Sequence, residues 1–173
     1  MIHANTRHAA PAQPKPELRH AFGRFPTGIA VITLLDEQGA PYGLTINSFA
    51  SVSMEPPMIS WNVIRGSLAH ARVSQSLRFV VNILARDQRH IAQQMTGPVE
   101  TRFAGVGYRV TQSGLPVLDD ALATFECALH GAIPAGDHDI ILGTVENFEH
   151  REGLPLVYWQ GSYATATHYD SGR

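Results

Sequence analysis

The chain has 173 residues, enough for one domain with short tails and too few for two full cores. Hydrophobic residues make up 44% and charged residues 16%, which excludes a disordered chain. A formal net charge of -2, from 13 basic and 15 acidic side chains, offers no basic excess for a phosphate backbone and argues against a nucleic-acid partner.

Met1 to Pro16 carries Pro11, Pro14 and Pro16 with no periodic apolar positions and no apolar h-region, so residues 1–16 read as a mobile N-terminal tail. No stretch approaches the roughly 18 apolar residues of a membrane span. A cytoplasmic protein without a membrane partner is expected. From Glu17 the pattern turns helical, with Leu18, Ala21, Phe22 and Phe25 on one face until Pro26 stops it.

The β-branched run Ile29 to Leu35 predicts a strand, and Tyr42 to Ile46 predicts its return after Asp36-Glu37-Gln38-Gly39. Ser48 to Ser53 predicts another strand, cut by Pro56-Pro57, and Met58 to Val63 a further one. Ser67 is placed to cap a short helix through about Ser74. Arg78 to Leu84 reads as a strand, Asp87 to Met95 as a helix, and Thr96 to Pro116 as a long irregular connection. Ala123 to Ile133 and Asp139 to Val145 are strands joined by Pro134-Ala135-Gly136-Asp137. Leu156 to Trp159 and Ser162 to Thr165 form a last hairpin around Gln160-Gly161, and residues 166–173 a C-terminal tail. About eight strands and three short helices within 17–165 predict a mainly β domain, an antiparallel β-barrel with short helices.

Cys127 is the only cysteine, so an intramolecular disulfide is impossible, and its apolar setting predicts a buried inert thiol. Thr45, Asn47, Ser48, Ser51 and Ser53 fall within nine residues of otherwise core-like strand. Desolvating them without partners would cost several kcal/mol, so some face water, backbone or a ligand. The stretch is either a polar strand face or a cradle for a flat ligand with a phosphate tail. Arg65-Gly66-Ser67 opens a helix and is either a plain cap with a solvated arginine or an anion site. His138, delivered by the Gly136-Asp137 turn, is either a structural histidine or a functional one. Asp137, His138 and Asp139 cannot chelate together on a strand, and the other eight histidines show no ligand spacing, so no metal site is expected. Gly105-Val106-Gly107 lacks the third glycine and the βαβ setting of a dinucleotide fingerprint, and Walker and GxSxG motifs are absent.

Taken in order, these pieces resemble the short-chain flavin reductase family, the reductase components of two-component flavin monooxygenases. The resemblance spans roughly Leu18 to Tyr163. It rests on Phe25-Pro26-Thr27-Gly28, then Gly43-x-Thr45-x-Asn47-Ser48-Phe49-x-Ser51-Val52-Ser53-x-x-Pro56-Pro57, Arg65-x-Ser67 and Phe79-x-x-Asn82-x-Leu84. Arg102-Phe103, Gly136-Asp137-His138 and Gly161-x-Tyr163 complete it.

The resemblance implies an FMN-binding split β-barrel that reduces FMN or FAD with NADH or NADPH. It implies a homodimer with diffusive hand-over of reduced flavin to a separate oxygenase. Thr45, Ile46, Asn47, Ser48 and Phe49 would line the isoalloxazine, with Ser51, Val52 and Ser53 along the ribityl chain. Ser53, Arg65 and Ser67 would lie near the phosphate, with Thr27 and Asn82 in the same pocket. His138 would stand over the flavin face, positioning the nicotinamide electrostatically, with Asp137 and Tyr163 beside it. Similar folds include non-enzymatic flavin carriers and pyridoxamine-phosphate oxidases. The turn carrying His138 favours a reductase over the first, and the scarcity of basic residues around the predicted site disfavours the second.

Overall fold

The structure is a computed structural model that describes residues 15–167. The helix α1 (Lys15–Phe22) is followed by β1 (Thr27–Gly28), β2 (Ala30–Leu35), β3 (Pro41–Ile46), β4 (Ala50–Met54) and β5 (Pro57–Ile64). Helix α2 (Leu68–Gln75) leads to β6 (Arg78–Ile83), a 3-10 turn at Arg86–Gln88 and α3 (Arg89–Gln94). Then come β7 (Tyr108–Val110), β8 (Pro116–Leu118), β9 (Ala123–Ala135), β10 (His138–His150), β11 (Leu156–Trp159) and β12 (Ser162–Thr165).

Seven strands form one sheet in the order β3-β2-β6-β9-β10-β5-β4, and every pairing in it is antiparallel. Alternating side chains send Ile32 and Leu34 of β2, Tyr42 of β3, Trp61 of β5, Phe79 of β6 and Ile141 of β10 into one buried cluster. Since Tyr42 and Trp61 sit near opposite edges of the sheet yet share that cluster, the sheet curls around it. The outer face of β2 and β6 is covered too. Val31 packs with Leu84, Ile91 and Met95, and Val80 packs with Leu115 and Val117. Burial on both faces explains why these two strands read as continuous apolar runs. A second sheet, β1-β11-β12, is tied to the first where Ile29 N–H bonds Leu156 O and Leu84 N–H bonds Ile29 O.

Most predicted elements stand within a few residues of their expected bounds, and the departures have physical causes. The connection expected to be irregular over 96–116 holds β7 and the turn of the β7–β8 hairpin, whose second strand runs on to Leu118, closed by Gly114 N–H to Thr111 O and Thr111 N–H to Leu115 O. Three-residue strands show too little alternation to be read locally. Strand β10 continues past Val145 to His150 because β9 supplies a partner that far, across two register shifts. Helix α1 begins at Lys15 rather than Glu17, which places two residues of the expected tail in the helix. The rest of that tail, and residues 168–173 of the expected C-terminal one, lie outside the described residues.

Candidate functional site

At the β3 edge of the large sheet, the chain leaves Ile46 as Asn47-Ser48 and crosses toward β5. Ser48 Oγ accepts the Asn62 N–H at 2.9 Å, which bridges the gap between the two strands. Thr45 Oγ1 donates to Ala92 O at 2.8 Å and so pins α3 against β3. That packing requires Gly43, since a Cβ there would stand 2.6 Å from Met95 Sδ. Between these elements lies a cleft of about 510 Å³ whose wall includes Thr45, Ile46, Asn47, Ser48, Ser67 and His138.

The opposite rim is built by two short connections. Ser67 caps α2, accepting His70 N–H at 3.1 Å and donating to Ile64 O at 2.7 Å. The β9–β10 turn holds Gly136 at φ 66°, the left-handed region that glycine tolerates, and sets His138 opposite Ile64. Arg65 N–H donates to Asp137 O at 3.0 Å and locks the two connections together. His138 Nδ1 meets Asp137 Oδ1 at 2.8 Å, which leaves Nε2 available. That bond, with the imidazole's charge, holds the Asp137 carboxyl below its ordinary range.

Two arginines stand near the cleft with different charge balance. Arg65 Nε approaches Asp139 Oδ1 at 3.2 Å, off the hydrogen-bonding direction, while His70 Nε2 takes Asp139 Oδ2 at 2.8 Å. Arg102 lines the cleft, lies over the Tyr42 ring at 5.1 Å, and donates to Gly97 O at 3.0 Å and Gly43 O at 2.6 Å. Carbonyls orient a guanidinium without cancelling its charge, and none of the cleft's lining residues is acidic. The cleft is therefore a cationic slot with amide and hydroxyl donors, which suits a polar, flat, anionic ligand. Arg102 was visible in sequence only as the Arg102-Phe103 pair, with no role attached.

The structure separates the other expected site residues. Tyr163 lines a smaller hollow that shares Thr45, Ile46, Asn47 and Thr96 with the cleft. Burial raises its phenol, and Tyr158 packs on it edge to face. Thr27 lines a third hollow that meets the others at Asn47. Phe49 turns inward and stacks on Phe125 at 5.7 Å. Ser51 and Val52 are exposed on β4, and Ser53 Oγ caps the following turn at Glu55 N–H, so these three stand outside the cleft.

Asn82 is a correction. It is fully buried on the outer face of β6, donating to Val31 O and Thr33 Oγ1 and accepting from Leu118 N–H, so its amide is spent on the fold. Cys127 is buried, and burial pushes its thiol up to about 12, which suits an inert group. Among the described residues no cluster of histidine, cysteine and carboxylate side chains could hold a metal, and no helix is long and apolar enough to cross a membrane.

A family model described as flavin reductase like domain matches residues 22–167. The reductase component of a flavin-dependent trigonelline monooxygenase from Acinetobacter baylyi is 36% identical over 149 residues, 86% of this chain and 48% of that protein. A 40% identical protein of Rhizobium meliloti is likewise matched over 48% of its length, so the chain spans about half of these curated relatives. A protein of Agrobacterium fabrum named FMN reductase (NADH) is 37% identical over 84% of this chain and 82% of its own. Among solved structures, an NADH:FAD oxidoreductase of Streptomyces globisporus, in complex with NAD and FAD fragments, is 30% identical. It superposes with a TM-score of 0.83 over 95% of this chain and 100% of that one.

Proposed function

This chain belongs to the flavin reductase like family, and from that premise we propose that it is an NAD(P)H:flavin oxidoreductase that supplies reduced flavin to a separate oxygenase. The observation that carries the reading is the cleft itself, a donor-lined slot with Arg102 as its uncancelled positive charge and His138 at its rim. The chain's fit to FMN or FAD rests on that chemistry. The Thr45–Ser48 wall and Asn62 offer polar groups to the pyrimidine edge, and Arg102 and the capped start of α2 answer a phosphate.

When bound, the flavin supplies the redox chemistry, accepting a hydride from NADH or NADPH. The protein's share is placement. Donors along Asn47 and Ser48 favour negative charge on the ring edge they face. His138, held by Asp137, orients the nicotinamide and contributes electrostatics rather than an obligatory proton. Tyr163 and Tyr158 wall the adjoining hollow where the nicotinamide would enter.

The curled, open sheet supports a split barrel. Exposed Val52 and Met54 on the edge strand β4, with Ile64 and Leu68 beside the cleft, support a homodimer closed over that edge. Relatives named as reductase components support hand-over to an oxygenase. The absence of a spanning helix among the described residues is compatible with a cytoplasmic place of action. Mixing the protein with each nicotinamide and each of FMN, FAD and riboflavin, with absorbance followed at 340 nm, tests the function. Flavin-dependent oxidation above the enzyme-free rate is expected. Flavin binding without oxidation would leave a carrier instead.

A further inference from the structure

Arg102 follows a 3-10 turn at Val99–Thr101 that buries none of its residues, so its guanidinium is aimed by other parts of the chain. Gly97 O takes its Nε at 3.0 Å and Gly43 O its Nη1 at 2.6 Å, which leaves Nη2 for a ligand in the cleft. Bonds along one edge leave a planar group free to tilt. The Tyr42 ring, with its centroid 5.1 Å from the guanidinium carbon, is the surface that limits the tilt.

Tyr42 is itself held. It is 2% exposed and packed in the main core cluster, and Arg72 of α2 brings a second guanidinium carbon to 4.6 Å from the same ring centroid. Two free cations at one ring would repel each other. Arg72, however, is paired with Asp36 of the β2–β3 turn, Nη1 to Oδ2 at 2.9 Å, and both side chains are mostly buried. Asp36 Oδ1 also accepts the Gln38 and Ala40 N–H groups at 3.0 and 2.9 Å. The Ala40 N–H, and after it Arg72, hold the Asp36 carboxyl below its ordinary range, so the pair stays charged at neutral pH. Arg72 Nε is buried without a hydrogen-bond partner among the described residues, so the ring is a contact that its guanidinium keeps. The ring thus meets one cation neutralised by a carboxylate and one, Arg102, that carries its charge into the cleft.

We propose that Tyr42, backed by the Asp36–Arg72 pair, is a positioning residue that aims Arg102 and so sets the preference of the cleft for FMN over riboflavin. The proposal rests on the reading of Arg102 as the cation that answers the phosphate.

The measurement is the affinity for FMN relative to riboflavin, taken by flavin fluorescence titration. Tyr42→Leu should lower that preference about tenfold, the scale of a desolvated cation–π contact, whereas Tyr42→Phe, which keeps the ring, should retain it. A role in packing alone would weaken both flavins together and leave the preference where it was. In an Arg102→Gln background, Tyr42→Leu should lower the preference no further, because the group it positions is gone. Arg72→Met, at a half-buried helix position, takes the place of Tyr42→Leu if that variant does not fold, and a loss in the same direction is expected. A preference unchanged in the folded variant, or a full further loss in the Arg102→Gln background, would overturn the proposal. If Arg102→Gln by itself leaves the preference unchanged, the phosphate reading of Arg102 falls first and the proposal falls with it.

Discussion

Arg102 and Arg65 carry the same formal charge, and their surroundings decide which one an anion can use. Arg65 already faces the buried Asp139 carboxylate, whereas Arg102 is held by two backbone carbonyls. Arg102→Gln should weaken FMN binding by about 1.5–3 kcal/mol, the scale of a charge-assisted hydrogen bond, and riboflavin binding by much less. Arg65→Gln should have the smaller effect on FMN. Flavin fluorescence titrations with both ligands check this, and a larger loss at Arg65 would make Arg65, and not Arg102, the cation that the phosphate uses. For His138→Ala, kcat/KM for the nicotinamide should fall about tenfold or more, with flavin affinity retained. The Asp137 carboxylate keeps its share of the contact that aims His138 until pH falls through its lowered folded value, since a depressed carboxyl loses its contribution only there. If stopped-flow reduction of the flavin-loaded variant is unchanged, His138 serves only its turn.

Strand β10 shows how one element is fitted to its neighbours. Its register against β9 shifts between Leu142 and Gly143, and a Cβ on Gly143 would stand 2.7 Å from Phe79 Cζ and 3.1 Å from Cys127 Cβ. These are buried core atoms with nowhere to retreat. Gly143→Ala should therefore destabilise the fold by about 1–3 kcal/mol. Gly131 of β9 has open space around the same virtual atom and no positive φ, so Gly131→Ala should be close to neutral. Urea titrations of both variants should show a lowered midpoint for the first alone, with the slope preserved.

At the scale of the whole molecule, the exposed apolar side chains of β4 and the β5–α2 turn need cover. An edge strand with free N–H and C=O groups and apolar residues is a surface proteins rarely leave bare. Light scattering at micromolar concentration should report about twice the 18.9 kDa chain mass. Val52→Lys with Met54→Lys should shift that mass toward the monomer. A monomeric wild type would leave this face without a role in assembly.

What the sequence determined by itself was whatever depends on near neighbours. The Ser67 cap needs only His70, three residues on, and the Gly136-Asp137 and Gln160-Gly161 turns need only their own backbone angles. The β-branched runs of β2 and β6 declared buried strands because apolar residues fall on both of their faces. The ordered motifs were likewise legible, and they carried the family. The tertiary structure decided which polar residues face a ligand. Asn82 reads like a site residue until Val31, Thr33 and Leu118 are seen to consume its amide. Arg65 reads like an anion site until Asp139 is found beside it, and Arg102 reads like nothing until it is found in the cleft. Charge cancellation and hydrogen-bond satisfaction are properties of pairs, and the partners here lie on strands and loops distant in sequence that only the folded sheet brings together.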